Sequence, residues 1–273
     1  MGYFRKHWRE STLLILLLAN FMVFLLLWER REKPLEVHFL DVGQGDAILI
    51  ETPNQKQILI DGGRNRSVVS HLGELLPFGD RDLDVLIATH PDADHIGGLP
   101  EVLDRYEVLL YLEPGVRSEN GLVEVLERKV SLKVKERLLA RQNLKISFGD
   151  GVELLILFPN QDVSNFDTND ASIVAKLSYG ETSFLLTGDA GFRTENILLN
   201  SVGNLLDSDV LKAGHHGSKN SSSPKFVSAV SPEYAVISAG KDNSYGHPHQ
   251  EVLKIFEDLN IKIRNTAKEG TIT

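Results

Sequence analysis

Cysteine is absent from the chain. That excludes a disulfide framework, a thiolate metal site and a cysteine nucleophile, and it leaves imidazole nitrogen and oxygen atoms to hold any metal. Basic charge is scarce as well. Beyond residue 33 the chain carries 23 Lys/Arg against 35 Asp/Glu, a net charge of −12, so a broad positive face for nucleic acid is excluded. Aromatic residues make up 7% and beyond residue 33 form no run interleaved with basic ones, which argues against reading nucleic-acid sequence by stacking. Low-complexity stretches are few, and 273 residues that are 42% hydrophobic suffice for one large globular domain or two small ones.

Long apolar runs are confined to the N-terminus. In "STLLILLLANFMVFLLLW" the stretch from Leu13 to Trp28 carries no charge. As a helix, the eighteen residues from Ser11 to Trp28 would span about 27 Å, near the thickness of a bilayer's hydrocarbon core. The run is long for a signal peptide and ends at "LWERREKP", without a small-x-small cleavage site. Residues 1–33 are therefore expected to be an uncleaved single-pass membrane anchor with its flanks, bracketed by Trp8 and Trp28 as interfacial aromatics. Arg5, Lys6 and Arg9 precede the segment while Arg30, Arg31 and Lys33 follow it, so flanking charge does not choose an orientation.

From residue 34 onward, short Val/Ile/Leu runs end in polar residues or glycines: "VHFLDVGQGDAILIET", "KQILIDGG", "LDVLIATH", "VELLILF", "SIVAKLSYG", "TSFLLTGD", "SDVLKAG" and "YAVISAG". These read as buried strands. Helical spacing lies between them in "VVSHLGELL", "GLPEVLDRY", "GLVEVLERKVSLKVKERLLARQN", "GFRTENILLNS", "SPKFVSAV" and "HPHQEVLKIFEDLN". Alternation of this kind around a layered sheet predicts an α/β fold over 34–273. The final "EGTIT" reads as a turn followed by the start of a strand.

The densest chemistry sits in "IATHPDADHIGG", where His90, Asp92, Asp94 and His95 fall within six residues at a strand-to-helix turn. His90 and Asp92 would splay to one cation, Asp94 and His95 to another, and imidazole with carboxylate suits zinc, manganese or iron. Any one of these residues alone reads as a helix cap or an exposed histidine. Four together read as a metal site.

"THPDADHIGGL" resembles the signature of the metallo-β-lactamase fold superfamily, His-x-His-x-Asp-His, with Asp92 at the second histidine. Together with "FLDVGQGDAILI", "ILIDGG", "NDASIVAKLSYGETSFLLTGDA", "DVLKAGHHGSKNSSS" and "YAVISAGKDNSYGHPHQEVL", it is most similar to the C-terminal domain of ComEC-type competence proteins. The resemblance covers nearly everything from Glu36 to Thr273. The many-helix channel of that branch has no counterpart in these residues. The resemblance implies an αββα sandwich of metallo-β-lactamase type, a hydrolase domain over 34–273, and two divalent ions, manganese or zinc, with magnesium as the third candidate.

Residue by residue, the resemblance implies that Asp61 supports the ligand turn, that His90, Asp92, Asp94 and His95 are ligands, and that Asp189 bridges the two metals. Asp94 is expected to be both ligand and catalytic carboxylate. The last histidine ligand is His215 or His216. On a strand, adjacent side chains face opposite ways, so one of the two is expected, and His215 is favoured. The family's middle histidine is replaced by "DTNDAS", where Asp170, or else Asn169, would substitute.

Paired divalent ions can activate a water and clamp the oxygens of a phosphodiester, which would let an acidic protein accept DNA at one spot. Ser218, Lys219, Ser222 and Ser223 of "GSKNSSSPKF" are expected to bind that substrate. Ser223 as N-cap and Pro224 at the first helical position present a helix N-terminus to phosphate, although each serine singly reads as a loop residue or cap. His247 of "YGHPH" is the candidate general acid, with local capping as the plain alternative. Arg128, Lys129, Lys133, Lys135, Arg137 and Arg141 offer a track for a DNA strand, or simply a solvated helix face.

The reading is a membrane-anchored DNA nuclease of competence, its catalytic domain extracytoplasmic by resemblance, with DNA as substrate and a separate channel protein as companion. The alternatives are a hydrolase of another ester (a cell-envelope phosphodiester, lactone or β-lactam) and a non-catalytic DNA-binding module.

Overall fold

The computed structural model describes residues 8–29 and 33–273. The chain divides into two compact units, Met1–Pro34 and Leu35–Thr273. In the first, helix α1 (Trp8–Glu29) runs for 22 residues, and its described apolar side chains from Leu13 to Val23 are exposed. Side chains are described for Trp8 and for 10–23, and among the described residues no helix is long and apolar enough to cross a membrane. The flanking charges Arg5, Lys6, Arg30 and Arg31, and the side chains of Arg9 and Trp28, lie outside the described residues.

The second unit holds two sheets. The first runs, in spatial and chain order alike, β1 (Glu36–Phe39), β2 (Ile48–Glu51), β3 (Gln57–Ile60), β4 (Asp82–Ile87), β5 (Glu107–Glu113) and β6 (Val134–Leu139). Its first three strands pair antiparallel and the rest parallel. Parallel pairing needs crossovers. These are α2 (Ser67–Leu75), then α3 (Ala93–Ile96) with α4 (Leu99–Arg105), then α5 (Gly121–Lys133).

The second sheet mirrors this plan from the other end of the chain. Strands β7 (Lys145–Ser147), β8 (Val152–Phe158), β9 (Val174–Tyr179) and β10 (Thr182–Leu186) pair antiparallel. They are followed by parallel β11 (Val210–Lys212), β12 (Tyr234–Ile237) and β13 (Lys262–Asn265). Helices α6 (Phe192–Ser201), α7 (Pro224–Val230) and α8 (Gln250–Asp258) make the crossovers, and α9 (Thr266–Glu269) follows β13. The final residues return to the first strand: Phe39 and Ile272 exchange backbone hydrogen bonds of 2.8 and 3.0 Å.

Period-two alternation sorts the side chains into three apolar layers. Val37, Phe39, Ile50, Ile58 and Val85 meet Leu154, Ile156, Leu177 and Leu186 between the sheets. Leu49, Leu59 and Leu86 pack outward against Leu72, Leu99, Val102 and Val130 of the helices. Leu185, Leu211 and Ala235 do the same against Leu198, Val227 and Phe256. The layer order is αββα, as expected.

One expected element is corrected. The helical spacing assigned to 121–143 stops at Lys133, and Val134–Leu139 is an edge strand parallel to β5. Its residues are good helix formers, but pairing with the open edge of β5 outweighs that preference.

Candidate metal centre

All the site residues gather at one edge of the sandwich because of strand direction. Asp61 follows β3, His90 follows β4, Asp189 follows β10, and His215 and His216 follow β11, each beyond the carboxyl end of a parallel strand. Asp46 precedes β2, which runs antiparallel to β3, and so reaches the same edge.

Asp61 organises the ligand turn. Its carboxylate is fully buried and accepts from the Thr89 amide (2.8 Å), the Thr89 hydroxyl (2.6 Å) and His95 Nδ1 (2.7 Å). Because a carboxylate only accepts, His95 carries its proton on Nδ1 and aims the Nε2 lone pair inward. The Ser238 carbonyl does the same for His216 through Nδ1 at 2.9 Å. Gly45 lets the "DVGQGD" loop press on this turn: its φ is +128°, and a Cβ there would overlap the Asp94 carbonyl oxygen.

At the centre lies Asp189, 3% exposed. His95 Nε2 stands 3.2 Å from its Oδ1, while His216 Nε2 (3.3 Å), His215 Nε2 (3.8 Å) and His90 Nε2 (3.9 Å) surround its Oδ2. Asp92 Oδ2 lies 3.8 Å from His90 Nε2, and Asp94 Oδ2 lies 3.5 Å from His216 Nε2. Asp189 is thus shared between the pair His90 and Asp92 and the group Asp94, His95 and His216, with His215 beside the same carboxylate.

The arrangement asks for a cation. The His95 and His216 Nε2 atoms face each other at 3.3 Å, and with both rings neutral each offers the other only a lone pair. His90 Nε2, Asp189 Oδ1 and Asp46 Oδ1 are buried without a hydrogen-bond partner. Asp46, His95, Asp189 and His216, all buried, place one ligand atom each within 4.8 Å of one another. Nitrogen and carboxylate donors in this number fit divalent transition ions.

Protons are the alternative positive charge at these nitrogens. Burial opposes protonation of His95 and His216, but Asp189, with Asp61 for the first and Asp46 for the second, outweighs it and holds both well above the usual histidine range. Burial likewise opposes ionisation of Asp189, yet His216 and His95 hold it well below the usual carboxylate range. Asp94 is lowered against its own burial by His216 and His95. Burial raises Asp92, which Thr168 of the "DTNDAS" loop partly offsets by a hydrogen bond. His90 is pushed well down by burial and by the neighbouring His95. Protons and a metal therefore compete for the same nitrogens.

Sequence reasoning missed two members. Asp46 pairs with the Nζ of Lys212, and it raises the local negative charge that Lys212 partly cancels. Lys212 is fully buried, donates to the Gly188 carbonyl at 3.0 Å and lies 3.9 Å from Asp189 Oδ1. A lone lysine inside the apolar run "DVLKAG" was the available signal for it. For Asp46 the signal was an aspartate beside glycines at a strand end, the pattern shared by "LIDGG" and "LLTGD".

Several expectations need correction. His215 and His216 do not sit on a strand: φ values of 48° and 54° turn the backbone so that both rings reach Asp189, and His216 is the buried one. Asp170 makes no ion pair with a histidine within 4.0 Å among the described residues. Its carboxylate faces Arg193 at 3.9 Å, whereas Asn169 Oδ1 is buried without a hydrogen-bond partner. Ser223 does cap α7, accepting from Phe226 N at 3.4 Å. The amides of Ser222 and Ser223, however, donate to the Glu195 carboxylate, so an internal anion already fills the place expected for phosphate. Ser218 is buried and accepts from the Asn220 amide (3.4 Å), while Lys219 is exposed. His247 packs 5.5 Å from the His215 ring and 5.0 Å from the His249 ring. Burial and the adjacent histidines push it down to about 4. Half of the basic stretch is engaged internally: Lys129 and Lys133 pair with Asp104, and Arg137 pairs with Glu113 and Glu127.

Residues 40–241 match the model of the metallo-beta-lactamase superfamily. The chain belongs to that superfamily. It is 35% identical over 260 residues to ComE operon protein 3 of Bacillus subtilis, covering 87% of this chain and 32% of that protein. Recombination protein 2 of Haemophilus influenzae is 35% identical (91% and 30% covered), and competence protein ComA of Neisseria gonorrhoeae is 33% identical (88% and 32%). The chain thus spans about a third of the length of these relatives. Among solved structures, the diiron β-hydroxylase CmlA of Streptomyces venezuelae superposes with a TM-score of 0.56 at 16% identity, covering 85% of this chain and 53% of that one. Zinc-bound PqqB of Methylobacterium extorquens gives 0.52 at 11% identity, covering 84% and 87%. At these identities the likeness is one of fold.

Proposed function

We propose that this metallo-beta-lactamase domain is a metal-dependent nuclease of the ComEC type, cleaving DNA phosphodiesters during uptake. The observation that carries the reading is the shared Asp189 carboxylate, ringed by four histidine nitrogens with Asp92 and Asp94 at the partly exposed rim. Two divalent ions held by those residues would supply an activated water and cancel phosphate charge, which an acidic protein otherwise repels. Asp61 and the Ser238 carbonyl fix the rings of His95 and His216. Lys212 balances Asp46. His247 stands at the rim with its ring 5.5 Å from that of His215, where it can hydrogen-bond a leaving oxygen. Lys219 remains the exposed cation nearest the "HHGS" turn in sequence.

The test uses the full chain in detergent, metal-stripped and resupplied with manganese, zinc or magnesium, against labelled single- and double-stranded DNA. Cleavage should return with a metal and fall at least a hundredfold in Asp189→Ala, on the scale of losing a catalytic ion. A folded, metal-loaded chain that cleaves neither DNA would end the nuclease reading and turn attention to envelope phosphodiesters and small esters.

The same proposal places α1 in the membrane, supported by its 22-residue length and the uncharged run Leu13–Trp28, with the catalytic unit extracytoplasmic. In a cell expressing the chain, alkaline carbonate should leave it in the membrane pellet, and external protease should reach residues 35–273 in spheroplasts. Release by carbonate would remove the anchor from the proposal.

A further inference from the structure

The edge strand β1 carries a second cluster of ligand atoms, remote in sequence from Asp189. Period-two alternation sends Val37 and Phe39 between the sheets, so Glu36 and His38 face the other way. On β2, Leu49 packs on the outer layer, and Glu51 shares its face. Register places Glu36 directly opposite Glu51 and His38 opposite Leu49. Like charges directly opposite across a strand pair are destabilising, and a cation between them reverses that sign.

His38 lies where that cation would bind. It is 4% exposed, its Nε2 has no hydrogen-bond partner, and that atom lies 3.5 Å from Glu36 Oε2 and 3.5 Å from Glu51 Oε1. The other ring nitrogen is held by Thr273 Oγ1 at 2.9 Å, which sets the ring. Ligands bonded to tetrahedral zinc at 2.0–2.1 Å are about 3.4 Å apart, close to the spacing found. All three ligand atoms lie within 4.8 Å of one another. Glu36 is half exposed and Glu51 a fifth exposed, which leaves an entry path and room for water as a further ligand.

The geometry points to a separate site for one first-row divalent cation, zinc by its donor set, held by Glu36, His38 and Glu51. It would clamp the first strand of the sheet to the second and, through His38, to Thr273. It belongs to no part of the Asp189 centre.

The experiment counts zinc. Full chain in detergent is stripped with chelator, dialysed against buffered zinc and analysed for metal, as the native sequence, as Glu36→Gln/Glu51→Gln and as Asp189→Ala. The paired amides should remove one ion per chain and leave the Asp189-dependent ions in place. Asp189→Ala should retain the ion at β1. Equal zinc with and without the amides, in a chain of native circular dichroism, would overturn the site. Should the paired variant misfold, Glu51→Gln alone is melted with and without zinc on the Asp189→Ala background. A zinc-induced rise in midpoint present in Asp189→Ala and missing in the added Glu51→Gln supports the site, and an unchanged rise overturns it.

Discussion

In the proposed metal centre Asp61 acts on a ligand and not on the metal. By accepting from His95 Nδ1 and from Thr89 it fixes which nitrogen of His95 is free. Asp61→Asn should weaken zinc binding about 10- to 100-fold, the usual cost of removing such a support, while leaving the fold intact. Competition against a chromogenic chelator measures this, and an unchanged affinity would contradict the role. The neighbouring residues were unequally legible. His90, Asp92, Asp94, His95 and Asp189 stand out because ligand chemistry needs several such residues close in sequence or beyond a strand. Asp46 and Lys212 do not, because a buried ion pair is made by tertiary folding and leaves only a lone charge in an apolar stretch. The His215/His216 choice depended on local conformation, and a left-handed turn reversed the premise that one ring must face away.

At the level of elements, α7 was readable to the residue. Ser223 and Pro224 announce its start, and Ser223 caps it. The sequence did not show that Glu195, from α6, lies across its first amides. Burial is the largest influence on Glu195 and raises its pKa, which the Ser223 hydroxyl and the Ser222 and Ser223 amides only partly offset. Between the unfolded value of about 4.5 and the raised folded one, the native state binds more protons than the unfolded state. Stability therefore falls as pH rises through that window. Relative to Glu195→Gln, the native chain should lose stability as pH goes from 4 upward, read as a shrinking gap between urea midpoints. A gap that widens instead would mean the amides, not burial, dominate. Strand β6 was the least legible element. Its Lys/Glu/Leu composition continues the helix before it, and only the open edge of β5 makes it a strand.

Over the whole molecule, charge sets how DNA would arrive. The unit that carries the centre belongs to a segment of net charge −12, and three of the basic residues of α5 and β6, Lys129, Lys133 and Arg137, are engaged with Asp104, Glu113 and Glu127. Long-range repulsion of a polyanion follows, and salt screens it over about 10 Å at 0.1 M. Cleavage at limiting DNA should rise between about 10 and 100 mM salt, opposite to proteins that bind DNA by a basic face. A monotonic fall over that range would expose a cationic surface that the charge count does not reveal. The two-sheet plan itself was visible in the run of short apolar strands. The partition between sheets was not, since which strand pairs with which is decided by crossovers and register.

Asp46, Asp61 and His95 belong to the first sheet and its loops, while Asp189, Lys212 and His216 belong to the second. A nascent chain that has left the ribosome only as far as β8 holds Asp46 without Lys212, and His95 with Asp61 but without Asp189. Such a half-made chain has carboxylates that repel one another and too few ligands to retain a metal pair. The proposed centre would therefore be complete only once the two sheets have met.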